Sequence, residues 1–211
     1  MPSGTRPPSG RDDGKASVVR DAGAVAMIPP FPLDARAYTV GAWIGVALLA
    51  GGVLSVLVSG NWLGAFQGGL FLVGALMLIL FNDRLPSLLV LLFVAAAVVN
   101  AAGWVWNEYK AIFGYDEFAH LFTTFAVTLA LGFLIYGRVQ HHFYDHRLHF
   151  VLVIASFGIS LGAFWEVFEL TLLGSLRDPV NDIIMDSIGA ILAGVAAPWL
   201  MGAQKPAAEP P

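Results

Sequence analysis

Three aspartates at helical spacing open the last long apolar segment of the chain. Asp178, Asp182 and Asp186 lie four residues apart in the stretch DPVNDIIMDSIGA. On an α-helix this spacing places all three carboxylates on one face. Pro179 suits the first helical position and Asp178 the N-cap before it, whereas Asp186 lies about 12 Å beyond the cap. A helix cap therefore explains Asp178 but not Asp186.

Two further segments carry acids and a histidine at helical spacing. GYDEFAHLFTTF has Asp116 and His120 at i, i+4, with Thr124 one turn further along. SLGAFWEVFELTLLG has Glu166 and Glu169 at i, i+3, which also share a face. Facing lipid, each buried carboxylate would cost about 2.5–3.5 kcal/mol, so these side chains should face the interior of a helix bundle. We expect the three segments to bring them together in one site.

The residue types at this expected site are typical ligands of a divalent cation. Carboxylates with one imidazole suit Mg²⁺, Mn²⁺, Ca²⁺ or Zn²⁺. His120 and Glu166 are also the best candidates for catalytic residues, since either could act as a general base. The sequence predicts a metal site whose ligands are drawn from Asp116, His120, Glu166, Glu169, Asp182 and Asp186.

A structural interpretation competes with the metal site. Carboxylates at helix starts cap backbone N–H groups, and polar side chains hold membrane helices together through hydrogen bonds. This interpretation suits Asp116, Glu117 and Asp178, which sit at predicted helix starts. Protonation of some carboxylates, or pairing with Lys110 or Arg177, would also relieve their mutual repulsion.

The elements that must position these residues are membrane helices. Of 211 residues, 57% are hydrophobic and 12% are charged, against about 25% charged in soluble domains. The mean hydropathy is +0.73. The sequence predicts an all-α, polytopic membrane bundle of about six transmembrane helices. Each is near the ~20 apolar residues that a span requires, and they lie at approximately 38–59, 62–81, 87–107, 117–137, 149–173 and 179–202.

The predicted bundle occupies residues 37–202 and lies between two tails. Residues 1–36 are rich in Pro, Gly, Ser, Arg and Asp and lack an apolar run, which predicts a disordered cytoplasmic tail. Residues 203–211 form a short C-terminal tail. Met27 is an alternative start, so whether residues 1–26 belong to the native protein stays open. The short links GN and NDRLP make the first three spans antiparallel neighbours, and the absence of cysteine excludes disulfides.

The distribution of charge predicts an orientation with both termini in the cytoplasm. With the N-terminus inside, all Lys and Arg fall on the inner side except Lys110 and Arg177. The acids show the reverse pattern, because eight of the fifteen Asp and Glu fall in the outer half: Glu108, Asp116, Glu117, Glu166, Glu169, Asp178, Asp182 and Asp186. We therefore expect the acidic site in the extracytoplasmic half of a multi-pass protein of the bacterial cytoplasmic membrane.

Several catalytic motifs are absent from the chain. It has no HExxH, no P-loop and no GxSxG elbow. The stretch QHHFYDHRLHF contains His141, His142, His146 and His149 and superficially resembles one histidine box of a membrane oxygenase. A di-metal oxygenase needs several boxes, so we interpret this stretch as a cytoplasmic basic link near anionic headgroups.

The motifs DEFAH, WEVFEL and DPVNDIIMDSIGA together resemble the YjdF-like family of uncharacterised bacterial inner-membrane proteins. That family shows an Asp-x-x-x-His helix, a Glu-rich helix, and aspartates spaced by four before Gly-Ala. A more distant likeness is to VanZ-like proteins. The resemblance covers about 115–195 and implies an inner-membrane fold without an established activity. It places the family pattern on Asp116, His120, Glu166, Glu169, Asp178, Asp182 and Gly189, whereas Asp186 departs from some relatives.

Three functions are consistent with these features. The first is a metal-dependent enzyme that acts on a lipid or lipid-linked substrate, with the metal polarising a phosphoryl or acyl group. The second is a cation or proton transporter or channel, whose throughway would need Gln67, Thr124, Thr128 or Ser160 to line it. The third is a non-catalytic membrane assembly protein. The predicted partners are membrane lipids and no nucleic acid; a homo-oligomer and a protein partner stay open.

Overall fold

The computed structural model describes residues 32–81, 84–106, 108–136, 143, 146–173 and 179–202. Within these ranges the chain forms seven α-helices and no strand, which confirms the all-α class. They are α1 Arg36–Val58, α2 Trp62–Phe81, α3 Ser87–Val105, α4 Glu108–Ala111, α5 Tyr115–Tyr136, α6 Arg147–Leu173 and α7 Pro179–Gly202.

Six of these helices, all except α4, are long and apolar enough to cross a membrane. Their bounds lie within a few residues of the six predicted spans. The short helix α4 was not predicted, since a four-residue helix leaves no hydrophobic period to read. Residues 1–31 and 203–211, which carry most of both predicted tails, lie outside the described residues.

Local signals fix where the helices begin. Gly60 has φ +79° in the turn after α1, a conformation that glycine adopts without steric cost. The next residue, Asn61, accepts a hydrogen bond from the backbone N–H of Gly64 at 2.9 Å and so caps α2. Gly114, with φ +76°, plays the same part as Gly60 directly before α5. The Gly114 turn sets the start of the helix that carries Asp116 and His120.

The last residues of the predicted tail pack against the bundle. Leu33 is buried, and its carbonyl oxygen accepts a hydrogen bond from the N–H of Leu88 at 3.0 Å. The Asp34 carboxylate accepts from the N–H of Ser87 at 2.7 Å, and the N–H of Ala35 donates to the Ser87 hydroxyl at 3.0 Å. Residues 33–35 therefore pack against the start of α3, and the tail boundary at residue 36 stays a prediction.

The six long helices form two packed groups joined through α3. Helices α1, α2 and α3 pack against one another, as their short links predicted. Helices α5, α6 and α7 form the second group, and α3 contacts α5. The large apolar side chains on the outer faces are exposed, such as Ile44 and Leu48 at 56% and 54%. Contact of such apolar faces with lipid is favourable, whereas their contact with water is not.

Small residues let α7 approach its neighbours closely. A Cβ atom at Gly189 would collide with the carbonyl oxygen of Leu121 on α5. A Cβ atom at Gly194 would lie 2.7 Å from the carbonyl oxygen of Val151 on α6. The small residues Ala190, Ala193 and Ala197 of the same helix are also fully buried. Inside membranes, close packing of this kind drives the association of helices in place of the hydrophobic effect. Because Gly189 packs against α5, the face of α7 with Asp182 and Asp186 is turned towards α5.

Candidate functional site

His120 stands at the centre of four carboxylates contributed by three helices. Its Nε2 atom lies 3.8 Å from Asp116 Oδ1 and 3.9 Å from Asp182 Oδ1. Its Nδ1 atom lies 3.7 Å from Glu166 Oε1 and 3.3 Å from Asp186 Oδ1. One edge of the imidazole thus faces two aspartates, and the other faces a glutamate and the third aspartate.

The cluster is placed by the beginnings of α5 and α7 and the end of α6. These three termini meet at one end of the bundle, which we call the acidic end. Glu166, Asp182 and Asp186 are only 6%, 8% and 3% exposed. His120 is also buried, and Glu169 is half-buried. The structure therefore brings the predicted residues together in the bundle interior, as the cost of exposing carboxylates to lipid required.

Asp186 fixes the orientation of the imidazole. Its Oδ1 atom lies within hydrogen-bonding distance of His120 Nδ1 and also accepts a hydrogen bond from the Thr124 hydroxyl at 2.6 Å. A carboxylate bonded to Nδ1 stabilises the tautomer with the proton on that nitrogen. In that tautomer Nε2 carries the lone pair and faces Asp116 and Asp182. This is the arrangement by which proteins orient a metal-binding histidine.

Two carboxylate oxygens in the cluster are buried without a hydrogen-bond partner. They are Glu166 Oε1 and Asp186 Oδ2. Gly162 lies against the second of them, because a Cβ atom at that position would be 2.8 Å from Asp186 Oδ2. Burying a charged oxygen without a partner is expensive unless a nearby cation compensates it.

Two overlapping groups of side chains have the spacing of a metal site. Asp116, His120 and Asp182 form one group, and His120, Glu166 and Glu169 form the other. In each group the ligand atoms lie within 4.8 Å of one another. With bonds of about 2.1 Å, tetrahedral ligand atoms lie roughly 3.4 Å apart. The longest distances between ligand atoms in each group would thus need to shorten by up to about 1.4 Å around an ion. Their role as ligands stays a prediction.

A second polar network supports the site from α3 and α4. At its centre lies Asn100 of α3. Its Nδ2 group donates to the Ala96 carbonyl at 3.0 Å and to the hydroxyl of Thr123 on α5. The Tyr109 hydroxyl donates to Asn100 Oδ1 at 3.1 Å. Desolvation, and after it the charge of Asp116, raise the pKa of Tyr109 well above its usual value. Tyr109 therefore remains a donor over the physiological range.

The helix starts at the acidic end are tied by another side-chain bond. Asn181 Nδ2 on α7 donates to Glu117 Oε1 on α5 at 3.3 Å, which agrees with a structural role for Glu117. Asp178 and Arg177 lie outside the described residues, so the predicted cap and the predicted pairing of Arg177 stay predictions. Lys110 is exposed on α4.

Two histidines of the histidine-rich stretch lie at the opposite end of the bundle from His120. His146 and His149 are exposed, with ring centroids 5.3 Å apart. His141 and His142 lie outside the described residues. The described histidines of this stretch belong to the end where α5 stops and α6 begins, and they add nothing to the acid cluster.

A large cavity opens beside the acid cluster. Its volume is about 610 Å³, and it lies between α2, α3, α5 and α6, with Asp186 of α7 at one end. Its polar lining near the acidic end includes Asn100, His120 and Thr124, whereas Phe93 and Leu131 line the deeper end. Ligand pockets in proteins commonly enclose about 300–1,000 Å³. Sequence periodicity did not reveal this space, because α2 is apolar around most of its circumference.

A family model described as "Predicted membrane protein (DUF2238)" matches residues 37–202. The chain belongs to this DUF2238 family. The match covers all six membrane helices, so the chain is a multi-pass membrane protein whose family carries no stated activity. No curated protein and no solved structure matches the chain. The function of this DUF2238 member is therefore inferred from the geometry of its site.

Proposed function

We propose that the acid–histidine cluster binds one divalent metal ion through His120 Nε2, Asp116 and Asp182. The observation that carries this proposal is the two-sided environment of the imidazole. Asp186 holds Nδ1, while Nε2 faces two carboxylates at 3.8 and 3.9 Å. Proteins commonly orient a metal-binding histidine by a carboxylate that accepts a hydrogen bond from its other ring nitrogen.

The charge of the cluster supports a cation at this place. Five acids surround one imidazole: Asp116, Glu166, Glu169, Asp182 and Asp186. Fully ionised they carry 5 × (−1) = −5, and a protonated imidazole would still leave −4. A divalent ion would lower this negative charge.

The proposed activity is metal-dependent chemistry on a lipid or lipid-linked substrate. The ion would polarise a phosphoryl or acyl oxygen or activate a water molecule. Glu166 is the best candidate for a general base, because its unpartnered Oε1 atom is buried beside the imidazole and free to accept a proton. By the distribution of Lys and Arg, the acidic end is proposed to be extracytoplasmic. The resemblance to YjdF-like proteins implies that the membrane is the bacterial inner membrane.

Asp182→Asn and Glu166→Gln should separate the two possible ligand groups. We expect Asp182→Asn to weaken Mn²⁺ binding at least about 100-fold, because loss of even an outer-shell partner costs about 10–100-fold. We expect Glu166→Gln to weaken binding by about tenfold, the lower end of the range for an outer-shell group, since it lies on the Nδ1 side and is not a ligand. The measurement is Mn²⁺ titration followed by electron paramagnetic resonance on protein purified without a His-tag. The opposite order of effects would move the ion to Glu166 and Glu169 and refute the assignment.

Transport of protons or cations is the second candidate function. Three of the four residues that a throughway would need, Gln67, Thr124 and Thr128, line the cavity. The fourth, Ser160, is exposed on α6 and donates to the Ser156 carbonyl instead. Proteoliposomes with a pH gradient and Mn²⁺ outside distinguish the candidates. Flux that Thr128→Val abolishes supports transport, whereas no flux from protein that binds metal excludes it.

A further inference from the structure

The cavity runs parallel to the helices for about half the thickness of a membrane. Along α5 it extends from His120 to Leu131, and along α2 from Leu63 to Gly74. Eleven residues at 1.5 Å each correspond to about 16 Å. The hydrocarbon core of a bilayer is about 30 Å thick, so this length corresponds to one leaflet.

The cavity opens sideways between α2 and α6. Leu63, Phe66 and Leu70 on α2 and Phe164 on α6 line it and are nevertheless 64%, 62%, 48% and 68% exposed. Because both helices are membrane spans, their exposed apolar faces meet lipid. The opening therefore connects the cavity with the hydrocarbon of the bilayer.

The cavity is polar at its outer end and apolar at its deeper end, as is a lipid in the leaflet beside it. At the acidic end the lining includes His120, Thr123 and Asp186, and at the deeper end Phe93 and Leu131. A lipid of the adjacent leaflet has its polar group at the membrane surface and its chain towards the midplane. It could enter sideways without turning over.

The physical chemistry of the space favours hydrocarbon over water. A water molecule needs two to four polar partners, and the deeper half offers the Thr128 hydroxyl, which has no hydrogen-bond partner. If the cavity were empty, the atoms that line it would lose favourable dispersion contacts. Lipid chains at the opening restore those contacts without first leaving water.

The geometry points to the cavity as the binding site for one hydrocarbon chain of a membrane lipid, held with its polar group at His120 and Asp186. This inference rests on the proposed function for the chemistry that follows binding, since it names the part of the substrate that the protein holds. Binding of the chain itself does not require the metal ion, and it can be tested separately.

Gly74→Phe should fill the cavity, with Gly69→Phe as its matched control. Both glycines lie on α2, and a Cβ atom at either would meet no atom within 4 Å. Gly74 lines the cavity and Gly69 does not. A phenyl ring at position 74 therefore occupies the space that the chain would take, whereas the ring at position 69 does not.

The full chain is placed in vesicles of phosphatidylethanolamine and phosphatidylglycerol with a phospholipid that carries a diazirine in one acyl chain. After illumination, mass spectrometry compares adducts on Val127 and Leu131, which line the cavity, with adducts on Ile44 and Leu48, which face lipid. We expect this ratio to fall about tenfold in Gly74→Phe, equivalent to about 1.4 kcal/mol, and to stay unchanged in Gly69→Phe.

The outcomes distinguish this inference from the metal proposal. Asp182→Asn should keep the full cavity labelling even where it has lost Mn²⁺. An unchanged ratio in Gly74→Phe, or an equal fall in Gly69→Phe, would overturn lipid binding. Cross-links from α5 to a second copy of the chain, without lipid adducts there, would also overturn it, because a protein would then cover the opening.

Discussion

Replacing His120 with alanine is expected to produce the largest combined loss of metal binding and stability. The substitution removes the one nitrogen ligand and the cationic or donor group among four carboxylates within 3.9 Å. Breaking a buried charge network by removing one partner costs about 3–5 kcal/mol, because the remaining charges lose their compensation. We expect no measurable Mn²⁺ binding, together with a lower free energy of unfolding in detergent by that amount.

His149→Ala is the matched control for this experiment. His149 is exposed near the start of α6, at the other end of the bundle. Surface substitutions usually change stability by less than about 0.5 kcal/mol, so this variant should unfold and bind Mn²⁺ like the parent. If His120→Ala and His149→Ala unfold alike, His120 does not organise the acid cluster.

Gly189→Ala is expected to damage the site without touching any of its polar groups. The added methyl group collides with the Leu121 carbonyl oxygen and lies 3.1 Å from the Phe125 backbone nitrogen. Neither backbone atom can move away as a flexible side chain could. Overpacking of this kind costs about 1–3 kcal/mol. Because α7 carries Asp182 and Asp186, its displacement from α5 should also weaken Mn²⁺ binding.

Gly51→Ala provides the comparison for this glycine. Gly51 lies in α1, and a Cβ atom there meets no atom within 4 Å. Replacing a helical glycine by alanine at such a place stabilises by roughly 0.5–1 kcal/mol. Thermal unfolding in detergent and Mn²⁺ titration on both variants give the result. Equal stability of the two variants would show that α5 and α7 are not in backbone contact at Gly189.

The spans and the acid cluster could be predicted because both depend on spacing along one helix. An apolar run of about 20 residues identifies a membrane helix by length. The i, i+4 spacing of Asp116 with His120, and of Asp182 with Asp186, assigns each pair to one helical face. The cost of a carboxylate in lipid then turns these faces inward.

Contacts between helices could not be predicted in the same way. Most membrane helices of this chain are apolar on all sides, so hydrophobic periodicity does not tell which faces meet. His120 Nε2 faces Asp116 and Asp182, whereas Nδ1 faces Glu166 and Asp186. Which acids face which nitrogen depends on how the three helices pack against one another. Tyr109 was missed because it lies in a four-residue helix between spans. The cavity was missed because it is a space enclosed by α2, α3, α5 and α6 and not a property of any one helix.

The most direct test of the central claim is the metal content of the parent protein. The full chain is purified without a His-tag and without chelator, and its metals are measured by elemental analysis against protein concentration. The proposed site predicts about one divalent ion per chain, as expected for a single three-ligand centre. It also predicts that a chelator lowers the unfolding temperature and that restored metal raises it again. Protein that contains no stoichiometric metal and whose unfolding temperature is unchanged by chelator or added Mn²⁺ would contradict a metal site at His120.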